Sequence, residues 1–143
     1  MTFRRLALAA ITVSFPMIAQ AQSEGASQSG LLMELNTVQD VEGACRLTFL
    51  VDNKTGEAID SVSFETVIFD ASGSVVRLSL FNFRDLPVDR PRVRQFDLPG
   101  LTCDGLGQAL INGANTCVVA GTDSQLCDDA LKLNSRTDVE LLG

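Results

Sequence analysis

No stretch of this chain repeats apolar residues at i, i+3, i+4 and i+7 for three helical turns; beyond residue 30 its apolar positions recur in twos. A period of two puts successive side chains on opposite faces of a strand, so helix bundles and alternating strand–helix architectures are excluded. Leu31 to Leu35 is a short apolar run followed by a polar stretch to Gly43. Cys45, Leu47, Phe49 and Val51 then alternate with Arg46, Thr48 and Leu50, which predicts a strand with one buried face. Asn53-Lys54-Thr55-Gly56 is turn chemistry. In the next strand, Ile59 to Phe69, Val62, Phe64 and Ile68 face one way and Ser61, Ser63 and Glu65 the other. Asp70 to Gly73 forms a hairpin connection, and the chain returns through Val75 to Phe81. A loop with Pro87 and Pro91 leads to a strand from Val93 to Leu98, stopped by Pro99-Gly100.

Leu106 to Ile111 reads as a further strand, and Ser124 to Cys127 as one short helical turn near Cys127. Leu131 to Leu133 and Val139 to Leu141 are expected to close the fold as a hairpin around Asn134 to Thr137. About seven or eight short strands, with turn signals roughly every 8–12 residues, predict an all-β antiparallel β-sandwich. At 143 residues the chain suits one domain, here expected over residues 31–143. Phe49, Phe64, Phe69, Phe81, Phe83 and Phe96 are its expected aromatic core.

The first 21 residues read as a signal peptide. Arg4 and Arg5 form a basic start, Leu6 to Phe15 is apolar, and Ala19-Gln20-Ala21 fits the small-x-small pattern for cleavage after Ala21. The apolar stretch is shorter than the roughly 20 residues that cross a bilayer, so no membrane span is expected after cleavage. Phe3 stands where the twin-arginine pattern favours Ser or Thr, so the Sec route is expected. Gln22 to Gly30, polar and without periodicity, reads as a flexible linker.

Cys45, Cys103, Cys117 and Cys127 all follow the cleavage site, an even number in an exported chain, and so read as two disulfides. Four cysteines allow three connectivities, between which the sequence does not choose; the expectation carried forward is Cys45–Cys103 with Cys117–Cys127. No C-x-x-C is present, against a thioredoxin-like centre or a zinc ribbon.

The chain has no His, which removes His-based catalytic triads, His-ligated metals and an imidazole pH switch. Loss of Arg4 and Arg5 leaves nine Lys+Arg against eighteen Asp+Glu, a net charge of −9, so nucleic acid is not an expected partner. Against that background Arg77 to Asp97 carries five arginines and three aspartates. In an extended strand Arg90, Arg92 and Arg94 share one side, which makes them the candidate contact for an anion or an acidic partner, since guanidinium forks suit carboxylate and phosphate. The bland reading is a solvated strand face partly paired with Asp85, Asp89 and Asp97. Asp123, Asp128 and Asp129 lack the Gly-bearing loop of a calcium site and read as surface charge, so neither a metal nor a cofactor is expected. No residue is singled out as catalytic.

The run Val51 to Gly56, then Ile59 to Phe64 and Ile68 to Val76, resembles the bacterial FxLYD-type immunoglobulin-like module. There an Asn-x-Ser/Thr-Gly turn leads into a strand ending in an apolar-aromatic-Asp triplet and a Gly turn. Leu86-Pro87 and Phe96-Asp97-Leu98-Pro99 extend the resemblance over about residues 44–100, with Thr66 and Phe69 standing where the family has Phe and Tyr. Pro99-Gly100-Leu101-Thr102-Cys103-Asp104 and Ser135-Arg136-Thr137 make the whole chain similar to small exported alphaproteobacterial proteins without an assigned activity. The resemblance implies an immunoglobulin-like sandwich and brings no catalytic residue. The expected role is a non-catalytic soluble periplasmic binding or accessory module, with another envelope protein as partner. A small exported enzyme or redox protein, and a purely structural envelope component, are the alternatives.

Overall fold

A computed structural model describes residues 28–143; the signal-peptide reading and most of the linker lie outside the described residues. The chain forms two packed sheets. The strands are β1 (Gly30–Val41), β2 (Ala44–Lys54), β3 (Ile59–Asp70), β4 (Val75–Leu86), β5 (Arg92–Pro99), β6 (Leu106–Val119), β7 (Thr122–Asp123), β8 (Leu131–Ser135) and β9 (Glu140–Leu142). A 3-10 turn spans Cys103–Gly105, and the helical turn expected near Cys127 is α1 (Leu126–Asp129). The first sheet runs β5-β2-β1-β8, and the second β4-β3-β6-β7 with β9 also beside β6.

The all-β sandwich follows from the alternation: Cys45, Leu47, Phe49 and Val51 of β2 are fully buried, as are Val62, Phe64 and Ile68 of β3. Phe83 sits between the sheets, edge-on to Phe49 at 5.5 Å and to Phe64 at 5.8 Å, while Phe81 stacks on Phe96 at 4.2 Å. Such pairs add about 0.5–1.5 kcal/mol each beyond the area they bury. Phe69 departs from the expected core. It is half-buried on the outer face of the second sheet, in register with exposed Val75.

Three strands run longer than their apolar patterns. β1 continues through the polar stretch to Val41 because its backbone pairs with β2 up to Val41↔Ala44, with a register shift between Leu35 and Thr37. β4 continues past Phe81 to Leu86, and β6 past Ile111 to Val119, each absorbing register shifts against β3. A bulge lets a strand lose its simple alternation and keep its ladder.

The expected closing hairpin does not form. β8 pairs parallel with β1 in one sheet and β9 parallel with β6 in the other, so both sheets are mixed. At the corner between them Ser135 Oγ donates to the Val139 carbonyl at 2.6 Å and accepts from Thr137 N, and Val139 is buried. A hairpin would have kept both segments in one sheet. Splitting them lets β8 and β9 occupy the open sides of β1 and β6.

The disulfides are Cys45–Cys103 and Cys117–Cys127, the pairing carried forward from the sequence. The first ties the start of β2 to the 3-10 turn; the second ties β6 to α1. Between its β9 and β7 contacts, β6 offers the Ala114 amide to Asp128 Oδ1 at 2.8 Å, which assigns one of the late aspartates to holding a strand edge. Disulfides persist in oxidising, extracytoplasmic compartments. Among the described residues no helix is long and apolar enough to cross a membrane.

Candidate functional site

β4 and β5 are end strands of opposite sheets and lie over one another, so their edges meet along one side of the sandwich. The arginines gather there. β5 begins at Arg92, so Arg90 is not part of the strand; it stands exposed in the loop between Asp89, whose φ is 56°, and Pro91. Arg92 and Arg94 share the face of β5 that carries Phe96 and buried Leu98, turned toward the other sheet. The expected strip of three aligned, solvated arginines is thus replaced by a corner in which each differs.

Arg94 is a fastener. Its Nε donates to the Phe83 carbonyl at 2.7 Å and its Nη2 to the Asp85 carbonyl at 3.1 Å, both on β4. The side chain is only 10 % exposed, with the Asp85 carboxylate 3.8 Å away. Burial, then the neighbouring Arg84 charge, push its guanidinium below the ordinary value; Asp85 opposes this and Arg92 adds to it. Guanidinium groups remain charged even so. Arg84 is brought in by local geometry: its φ is 61°, its amide donates to Asn82 Oδ1 at 2.9 Å, and the β3–β4 register shifts around it. Left-handed backbone at an Arg costs on the order of 1 kcal/mol, and it aims an exposed side chain at the corner.

The aspartates expected to neutralise the strip are largely engaged elsewhere. Asp97 takes a two-pronged contact from Arg46 across the β2–β5 ladder, Nε–Oδ1 at 2.7 Å and Nη2–Oδ2 at 3.0 Å, and this bond and charge hold its carboxyl below the usual range. Asp89 accepts from Lys54 at 3.1 Å, which raises the Lys54 pKa. Among the described residues Arg84, Arg90 and Arg92 have no carboxylate within 4.0 Å.

The motifs that carry the family resemblance are turn builders. Asn53 is buried; its Nδ2 donates to the carbonyls of Leu86 and Glu57, and its Oδ1 accepts from Thr55. Both amide protons are committed, so the Asn53-Lys54-Thr55 acceptor pattern for glycosylation is closed in the folded chain. Asp70 Oδ1 accepts from Ser72 N, Ser74 N and Ser72 Oγ across the β3–β4 turn, and its pKa is lowered first by the Ser72 hydroxyl and then by the Ser74 amide.

The outer faces of the sheets differ in character. On the first sheet the register places Asn134, Glu34 and Leu50 in one row and Lys132, Leu32 and Asp52 in the next, lining a shallow depression of mixed polar and apolar character. On the second sheet Leu78, Val67, Leu110 and Leu142 form one apolar row across β4, β3, β6 and β9. Leu78 is 59 % exposed and Leu80, beside it on β4, 58 %. The sequence reading had no signal for this face, because Leu78 and Leu80 alternate with Arg77 and Ser79 as core leucines do.

Fold and surface together define a disulfide-locked all-β sandwich with a basic corner on an acidic body. Compared with known proteins, the chain matches no family model, no curated protein and no solved structure.

Proposed function

We propose that the chain is a non-catalytic binding or accessory module of the bacterial cell envelope, exported by the Sec route to the periplasm, and that it contacts an acidic partner through the basic corner. The observation that carries this reading is that, among the described residues, the guanidinium groups of Arg84, Arg90 and Arg92 have no carboxylate within 4.0 Å, on a chain whose net charge is strongly negative. Arg94, immobilised on two carbonyls, sets the distance between the two edges and so fixes where the others stand. The planar guanidinium fork suits a docking carboxylate, which favours a binding surface. Burial of Cys45 and Cys127 supports structural disulfides over a thiol-exchange centre, because exchange needs an accessible sulfur. The resemblance to the FxLYD-type module belongs to this proposal and bears on architecture.

The test is capture from periplasmic extract by the wild-type protein and by Arg90→Glu/Arg92→Glu. An envelope protein retained by the wild type and lost with the double variant is expected. Arg94 is left intact because its removal would loosen the corner. Equal capture by both proteins would sink the assignment of the corner as the contact.

A further inference from the structure

The second sheet ends on β4, a strand of twelve residues, and among the described residues no strand pairs with its outer side. A free edge presents unpaired N–H and C=O groups, and proteins blunt such edges with Lys, Pro, bulges or a covering element. Part of β4 is blunted. Its far end is covered where Arg94 takes the Phe83 and Asp85 carbonyls, and its register with β3 shifts around Arg84. The span Arg77–Asn82 is not: it holds no Lys and no Pro, and it keeps one register with β3 throughout. Its one charge, Arg77, lies in register with buried Ile68 and donates to the Pro99 carbonyl at 2.8 Å, so it is turned to the inner side. On the outer side this span exposes Leu78 and Leu80, each near 60 %, and Leu78 heads the apolar row that continues through Val67, Leu110 and Leu142.

We infer that this edge pairs with the same edge of a second copy of the chain, β4 against β4 in antiparallel order, to make one continuous sheet across two protomers. The edge is self-complementary. With the two-fold axis at Ser79, Leu78 of one copy faces Leu80 of the other on the outer side, twice, so each apolar row gains the partner's Leu80 at its head. The charges agree with the same operation. At its C-terminal end β4 carries exposed Arg84 beside Asp85, whose carboxylate is 3.8 Å from Arg94, while its N-terminal end lies beside Asp70 and, through the Ala71 N–Gly105 O bond of 3.2 Å, the exposed Asp104. Antiparallel pairing sets Arg84 opposite Ser74 in the partner's turn, so basic ends meet acidic ends and no like charges are opposed. Pairing in the other direction would lay basic end against basic end. Main-chain hydrogen bonds supply the affinity and the leucine pairs fix the register. A single-edge contact lies at the small end of stable interfaces, so the dimer should be a micromolar one.

The proposal goes beyond the basic-corner reading and stands or falls separately. The disulfide-bonded protein is examined by sedimentation velocity over a concentration series, with amide hydrogen exchange at both ends of the series. A monomer–dimer equilibrium is expected, with exchange at Val75–Asn82 slowing as concentration rises and the β8 and β9 amides unchanged. Leu78→Lys/Leu80→Lys alters only exposed side chains and should raise the dissociation constant at least tenfold with an unchanged far-UV spectrum; Ser79→Pro is a second edge variant that should also weaken association. A protein that sediments as monomer throughout, a dimer unaffected by the lysine pair, or a monomer that protects β4 only when given an alternating apolar peptide would each overturn self-pairing. None of these results bears on capture through Arg90 and Arg92.

Discussion

Thr66 is wholly buried at the middle of β3, in register with Ser79 and Ile111, and among the described residues its hydroxyl has no hydrogen-bond partner. A buried hydroxyl left unpaired costs about 1–3 kcal/mol in desolvation. Thr66→Val exchanges it for a methyl group of similar volume and adds roughly 0.8 kcal/mol of apolar transfer. With part of the gain offset by imperfect packing of the new methyl, the variant should be more stable by about 1–2 kcal/mol. For a folded unit of roughly 115 residues the melting temperature should rise by about 4–8 °C. Thr66→Ser keeps the hydroxyl and loses the methyl, so it should be destabilised by about 1 kcal/mol. Urea and thermal denaturation of the three oxidised proteins, followed by far-UV circular dichroism, give both quantities. A Thr66→Val protein less stable than wild type would refute the reasoning, because it would mean that the hydroxyl is satisfied in the core.

The disulfides close loops of different length, so in the chain-entropy model removal of Cys45–Cys103, separated by 58 residues, should cost about 4 kcal/mol, and removal of Cys117–Cys127, separated by 10, about 3 kcal/mol. Paired alanine variants compared by urea midpoint should preserve that order; the reverse order would count against loop closure as the cause. Arg94→Ala should lose about 2–3 kcal/mol and speed amide exchange from Phe83 to Leu86, and Arg94→Lys should restore less than half, since one ammonium does not span two carbonyls. A loss too small to measure would show that the fastener is idle. Asp70 and Asp97 have folded pKa values below their ordinary 3.8, so their stabilisation is complete above that value and is lost as pH falls through the depressed folded values. The urea midpoint of the wild type should therefore drop more steeply on acidification below about pH 4 than that of Asp70→Asn/Asp97→Asn. Parallel acid limbs would contradict the assignment.

Where one strand face is fully buried, the sequence was readable. β2 and β3 announce themselves through Cys45-Leu47-Phe49-Val51 and Val62-Phe64-Ile68, because an apolar side chain on every second residue has one way to leave water. Turns were readable for a local reason: Asn53 and Asp70 bond backbone within four residues of themselves. β4 was readable only in part. Phe81 and Phe83 claim the inner face, which commits Ser79 and Arg77 to the same side and turns Leu78 and Leu80 outward. From Arg77 to Asn82 no register shift interrupts the alternation, so two phenylalanines outweigh two leucines. The arginines misled for a related reason. Their spacing on β5 was correct, yet the shared side is the inner one, where Arg94 meets the β4 carbonyls.

The sequence by itself determined an all-strand body, its turns, its cysteine complement and the acidic balance broken near Arg77 to Asp97. All of these rest on interactions between near neighbours or on composition. Only the tertiary structure decided that β8 and β9 part company into different sheets, that β4 ends one of them with leucines in the open, and that Arg94 is a brace while Arg84, Arg90 and Arg92 have no carboxylate partner among the described residues. Those outcomes depend on which segments, distant along the chain, compete for the same edge or the same volume. That competition is resolved by packing, and no window of sequence contains it.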